Sequence, residues 1–230
     1  MSNRMWGGRV ALMATLVLSG ACATVPAKPS SADAAIYEVT FQGTWTKATH
    51  PAEYPEGSSL DLGAAHFSGV IGAPHSAGYS LFKEGAQASP GLMTLSHTGG
   101  HSPLDAELKA AAAAGNAGEM FETGVFIDVN APQSARFEVS DRFPLVSLAA
   151  MVAPSPDWFV GVNDVDLKEN GKWVDAKTIQ AYAWDSGTYD GMTYKAPEKA
   201  TSPHEPVARN TAPPFKQGTA VATITFKRVQ

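Results

Sequence analysis

Tyr37-Glu38-Val39-Thr40-Phe41-Gln42-Gly43-Thr44-Trp45 alternates apolar and polar residues with a period of two. On a strand, Tyr37, Val39 and Phe41 share one face, and Glu38 and Thr40 the other. Near the far end of the chain, Ala222, Ile224 and Phe226 alternate with Thr223, Thr225 and Lys227 in the same way. Between them lie strand-like stretches at 67–71, 79–82, 125–129, 135–139, 145–152, 159–162 and 178–183, separated by turns rich in Gly and Pro. Many short strands with such turns predict an all-β fold, an antiparallel β-sandwich of about eight strands. Pairing of the two terminal strands would fasten both ends of the domain.

One helix interrupts this pattern, at 103–114. Ser102 is placed to cap it, Pro103 suits its first position, and Asp105 favours its first turn. Leu104, Leu108 and the alanines up to Ala114 carry it to Gly115. Being mostly alanine, it is expected to lie flat on a sheet or to cover an edge. The polar, proline-rich stretch 197–218 reads as a long surface loop.

The first residues read as a targeting segment. Arg4 and Arg9 precede an apolar run, Val10 to Leu18, that is shorter than the ~20 residues needed to span a bilayer. Ser19, Gly20 and Ala21 follow, as in a secretory signal peptide covering 1–21. Cys22 is the chain's one cysteine, so no internal disulfide is available. Leu18-Ser19-Gly20-Ala21-Cys22 resembles a bacterial lipoprotein cleavage site, where Cys22 becomes the lipid-bearing first residue. The alternative is ordinary cleavage at Ala21-Cys22-Ala23, which discards the cysteine. Residues 22–35 then form anchor and tether, and 36–230 a single domain. Without Arg4 and Arg9 the chain carries 15 basic and 22 acidic residues, a net charge of −7. That balance argues against nucleic acid, which demands Lys and Arg on phosphates.

Two segments carry the candidate chemistry: Pro154-Ser155-Pro156-Asp157-Trp158 and Trp184-Asp185-Ser186-Gly187-Thr188-Tyr189-Asp190-Gly191. Each sets aspartates against a tryptophan among turn residues. If the two loops converge, Asp157, Asp185 and Asp190 make an oxygen-rich, negatively charged pocket. Such a pocket suits a hard cation, calcium above all. The plainer reading is that these aspartates cap turns through their own backbone. The histidines offer no comparable site. His97 and His101 are four apart, but Thr98, Gly99 and Gly100 between them oppose a helix, and no His-Glu-x-x-His motif occurs. His50 and His75 are expected to be structural polar contacts. A Gly-x-Ser-x-Gly elbow and a phosphate loop are both missing from the sequence.

Further motifs accompany these segments: His50-Pro51-Ala52-Glu53-Tyr54-Pro55, Phe67 to Ser76 ending in His75-Ser76, Ala88-Ser89-Pro90-Gly91, Phe159-Val160-Gly161-Val162, Thr193-Tyr194 and Pro197. With the opening strand running into Trp45, their order and number over residues 36 to 205 resemble the spondin domain of F-spondin-like extracellular matrix proteins. The resemblance implies an antiparallel sandwich similar to calcium-dependent lipid-binding domains, an adhesive or matrix-binding role, and no enzymatic one. It carries calcium ligation onto Asp157 and Asp185, whose Pro-Asp-Trp and Trp-Asp-x-Gly-Thr motifs are intact. The family's third acidic position falls on Tyr189, one residue before Asp190, so the third ligand is Asp190 or the Tyr189 backbone carbonyl. Trp158 and Trp184 are expected to brace the metal loops from behind. The expected protein is therefore an exported calcium-binding module at the cell surface or in the periplasm. It is either an outer-membrane lipoprotein or free, and its ligand is a protein or glycan. Two other readings compete: a secreted hydrolase with the metal as Lewis acid, and calcium-dependent peripheral membrane binding, the ion bridging to anionic lipid, which requires exposed apolar or basic residues at loop tips such as Trp158-Phe159 unless Phe159 begins a strand.

Overall fold

The computed structural model describes residues 34–58, 62–124, 126–129 and 131–230. The expectations for the signal peptide, Cys22 and most of the tether lie outside these residues, as does Val125. In chain order the elements are β1 (Ala34–Gly43), β2 (His66–Ser68), β3 (Ile71–His75), α1 (Pro90–Thr98), α2 (Leu104–Ala113), β4 (Phe121–Glu122), β5 (Phe126–Asp128), β6 (Gln133–Ser140), β7 (Leu145–Ala153), β8 (Trp158–Asp166), β9 (Lys168–Glu169), β10 (Lys172–Trp173), β11 (Ala176–Asp185), β12 (Ala208–Arg209) and β13 (Ala222–Arg228). β1 begins two residues inside the predicted tether. The stretch 79–82, predicted as a strand, is irregular instead.

Eight strands follow one another in the order β4-β3-β7-β8-β11-β13-β1-β6, each pairing antiparallel. β1 and β13 pair from Tyr37 opposite Arg228 to Gly43 opposite Ala222, so the terminal strands do close the domain on itself. The fold is all-β, as expected, but its layering differs from a sandwich of two separate sheets. One continuous sheet curls, as a strongly twisted sheet does, until its two ends meet. There Phe121 of β4 stacks on Phe137 of β6 at 4.6 Å. The result is close to a barrel.

The inward residues of β1 (Tyr37, Val39 and Phe41) are buried in the interior beside Ile224 and Phe226 of β13. An aromatic cluster of Trp45, Tyr54, Phe67, Tyr194 and Phe215 fills one end. Trp158 joins it, 5.0 Å from Phe215 and 5.6 Å from Tyr194. β7 is buried on both faces. Val146, Leu148, Ala150 and Val152 point into the barrel, while Ala149 packs outward under the helices. This explains why its sequence reads as a run of apolar residues rather than an alternation.

Two helices cover that outer face. The sequence predicted only the second. α1 is short, but its signals are present: Ser89 Oγ accepts the Leu92 N–H at 3.1 Å, Pro90 opens the helix, and Gly99 ends it at φ 73°. Leu92 and Leu95 pack on Ala149 and Phe159. α2 covers α1 more than the sheet, and Glu107 clasps its neighbour by accepting from the Ser89 hydroxyl at 2.6 Å and the Gly91 N–H at 2.7 Å. Ser102 is not the α2 cap. Pro103 stands in the cap position, without a capping side chain.

Trp45 is fully buried and ringed by four aromatic side chains, and its indole N–H donates to the Tyr194 hydroxyl at 3.3 Å. Replacing Trp45 by Ala leaves a cavity that a closed barrel cannot collapse to fill. The expected loss is about 3–5 kcal/mol of unfolding free energy, measured by denaturant titration.

Candidate metal centre

Asp157 sits in the turn between β7 and β8, and Asp185 ends β11, the strand next to β8. Asp185 pairs in register with Trp158, and the Ser186 N–H bonds to the Asp157 carbonyl, so the two loops do converge. The Asp157 side chain is completely buried. Its Oδ2 accepts four donors: the Thr188 N–H at 2.6 Å, the Thr188 hydroxyl at 2.9 Å, the Tyr189 N–H at 2.9 Å and the Ser186 hydroxyl at 3.0 Å. Ser96 of α1 extends the network, its hydroxyl 2.9 Å from that of Ser186. The other oxygen, Oδ1, is buried and has no hydrogen-bond partner among the described residues.

Asp185 lies alongside. Its Oδ1 accepts the Gly187 N–H at 2.7 Å, and its Oδ2 accepts the Trp158 indole N–H at 3.1 Å. Burial, reinforced by the nearby Asp157 carboxylate, pushes the Asp185 pKa up to about 6. Trp158 links Asp185 to the aromatic end of the core. Trp184 is placed differently. Side chains alternate along β11, so Trp184 faces away from Asp185 and packs between Phe82 and Phe159.

The third aspartate stands apart. Asp190 is exposed, and its carboxylate accepts from Lys199 Nζ at 2.6 Å. Among the described residues, no three His, Cys, Asp or Glu side chains are grouped so as to hold a metal. The Tyr189 N–H serves Asp157, and its ring stacks on His97 at 4.1 Å with planes 4° apart. His97 in turn has Nδ1 2.9 Å from the Pro156 carbonyl. α1 therefore buttresses both halves of the site through Ser96 and His97, which the sequence reading missed because it missed the helix. His50 and His75 are buried structural contacts, as expected: His50 Nδ1 is 3.0 Å from Thr49 Oγ1, and His75 Nε2 is 2.7 Å from Ser147 Oγ. Trp158 and Phe159, which adjoin Asp157, open β8 and are both buried, so they do not form an exposed loop tip.

The unpartnered buried Oδ1 of Asp157 and the adjoining Asp185 carboxylate fit a calcium ion in donor type. Both are hard oxygens, and the remaining ligands of a six- to eight-coordinate ion come from carbonyls or water. They supply two carboxylates rather than the three expected.

Comparison with known proteins follows the same residues. Residues 35–220 match the Spondin_N family model. Spondin-2 of Rattus norvegicus is 33% identical over 213 residues, which cover 84% of this chain and 62% of that protein. Spondin-2 of Homo sapiens is 33% identical over 202 residues, covering 87% and 60%. Spondin-1 of Rattus norvegicus is 34% identical over 177 residues, covering 74% and 21%. The chain thus spans under two thirds of the length of these relatives.

Two outcomes are expected of this loop. Gly187 has φ 78°, and a Cβ there would sit 2.1 Å from the Glu205 carbonyl oxygen. Gly187→Ala should therefore lower unfolding free energy by at least about 1–3 kcal/mol through the backbone conformation alone, read by thermal unfolding. Asp185 titrates at a higher pH in the folded chain than in the unfolded one. In metal-free protein its contribution to stability therefore falls as pH rises from about 4 to about 6, and the loss is complete above that. Subtracting the stability profile of Asp185→Asn from that of the unaltered protein should expose this slope, at most about 3 kcal/mol. Identical profiles would mean that Asp185 titrates normally.

Proposed function

The chain belongs to the Spondin_N family, and on that premise we propose that it is an exported, non-enzymatic binding module whose loop end is ordered by one calcium ion. Asp157 and Asp185 hold the ion. The observation that carries this reading is the Asp157 carboxylate, wholly buried with one oxygen surrounded by donors and the other without a partner. Burying a carboxylate costs several kcal/mol unless it is paired or coordinates a metal. Four donors offset the cost at Oδ2, and a cation does so at Oδ1. The same ion relieves the Asp157 repulsion that adds to burial in raising the Asp185 pKa.

Bound calcium in this reading stiffens the segment from Asp185 to Asp190. That places the exposed Asp190 and Met192 and the neighbouring surface in a fixed form for a protein or glycan at the cell surface. Export by the N-terminal leader, with a lipid on Cys22, would hold the module at the membrane.

Thermal unfolding with calcium and with chelator tests the site. Calcium should raise the melting temperature in proportion to the logarithm of its concentration, as expected for a ligand of the folded state. Asp157→Asn and Asp185→Ala should abolish the rise, and Asp190→Ala should leave it intact, because Asp190 is engaged by Lys199. A rise that persists in Asp157→Asn would overturn the assignment. Loss of the rise in Asp190→Ala would restore the three-aspartate site.

A further inference from the structure

The outer face of β8, β11 and β12 carries a hollow of about 410 Å³, on the sheet face opposite Asp185. Gly161 of β8 is paired with Tyr182 of β11 and lines the hollow, and a Cβ there would meet the Leu148 carbonyl oxygen at 2.6 Å and the Phe82 ring at 3.1 Å. Tyr182 and Trp184 line one end. Arg209 of β12 stands in register with Trp184. Its guanidinium carbon lies over the Tyr182 ring, 3.6 Å from the centroid, and 5.8 Å from that of Trp184. Among the described residues no ion pair includes Arg209. The Trp184 indole N–H is likewise buried without an acceptor. An arginine fixed by stacking, with its N–H fork unused, is arranged for a carboxylate.

The other end of the hollow carries acids, with one cation, Lys177, engaged by the Asp166 carbonyl at 3.0 Å and by Glu169 at 3.5 Å. Asp164 takes the left-handed conformation at φ 55°, uncommon for a residue with a side chain. It is locked there: its N–H donates to Ser147 Oγ at 3.0 Å, and its Oδ2 accepts from Asn163 Nδ2 at 2.8 Å. Asn163 is spent on this task, since its Oδ1 also accepts from the Ser147 hydroxyl and from the Leu81 N–H. Asp164 nevertheless keeps half of its side chain exposed, at 51%. With Asp166 and Gln180, which also line this end, it offers acceptors for hydroxyl groups. Asp164 lies three residues along β8 from Gly161, roughly 10 Å at strand spacing.

We propose that this hollow binds an acidic sugar, with the carboxylate of a uronic acid on Arg209 and the hydroxyls of the same or the next ring on Asp164, Asp166 and Gln180. A simple anion does not account for the rigid acids at the far end. An amino acid is too short to bridge the two ends, whereas a uronic acid disaccharide spans them. The site is independent of the proposed calcium ion and of the Asp157–Asp185 pair. Together they would give the module two binding ends, one on each face of β11.

Isothermal titration with digalacturonate, in calcium and again in chelator, tests this without depending on the metal site. Saturable binding is expected in both buffers. Arg209→Gln should raise the dissociation constant tenfold or more, and Arg209→Lys should fail to restore it, because lysine has neither fork nor stack. Methyl-esterified digalacturonate should bind as weakly to the unaltered protein as the acid does to Arg209→Gln. Absence of binding, or equal binding by Arg209→Gln with unchanged thermal unfolding, would overturn the proposal. So would equal affinity for a short neutral peptide with a free C-terminal carboxylate, which would identify a protein terminus as the ligand.

Discussion

The structure depends on keeping one carboxylate out of water. Asp157 is fully buried at the point where β7 turns into β8, and the chain from Ser186 to Tyr189 wraps around it. A buried charge left alone is among the costliest features a fold can carry. Ser186, Thr188 and Tyr189 therefore spend N–H and O–H groups on a single oxygen, and this fixes the conformation of the loop. Gly187 is required there because its φ and its approach to Glu205 exclude any side chain. The β-sheet brings the two loops side by side, and the carboxylate then dictates the detail.

The double layer around β7 supports this arrangement. A sheet strand with one face in a barrel and the other under helices has no freedom to shift register. β7 leads directly into the Asp157 turn, and α1 lies across its outer face. From there Ser96 reaches Ser186, while His97 reaches the Pro156 carbonyl and the Tyr189 ring. The site is thus held from the core side by Trp158 and from the helix side by α1. Both supports are pre-formed, which is the condition for a loop to present a fixed binding surface.

Much of this was legible in the residues. Alternation in Tyr37–Phe41 and Ala222–Phe226 indicated strands, and their pairing followed because ends that match in pattern close a sheet. Asp157, Asp185 and Trp158 were identified by their motifs, and the structure brings them together. Curling of the sheet into a near-barrel was not legible, because twist accumulates over eight strands and leaves no local signature. α1 was overlooked although Ser89, Pro90 and Gly99 mark its ends. Nine residues containing a glycine produce too weak a periodicity to stand out. Asp190 stands apart from the other two aspartates because a one-residue offset in a loop changes which way a side chain points. Here that offset hands it to Lys199 on the surface. Arg209 escaped notice because its significance lies in what it touches, Tyr182 and Trp184, from a loop more than twenty residues away in sequence.

The two faces of β11 account for how one strand serves two chemistries. Alternation sends Ala181, Ala183 and Asp185 inward, where small residues leave room for Trp158 and a carboxylate is forced into partial burial. The same alternation sends Gln180, Tyr182 and Trp184 outward, where aromatic rings can clamp Arg209. Neither set could shift by one residue without destroying the other. A slip would expose the apolar interior and bury the platform. β12 lies against both, since Arg209 pairs with Trp184 and Ala208 with Asp185, and the alternation of the strand keeps the two sets of side chains on opposite faces.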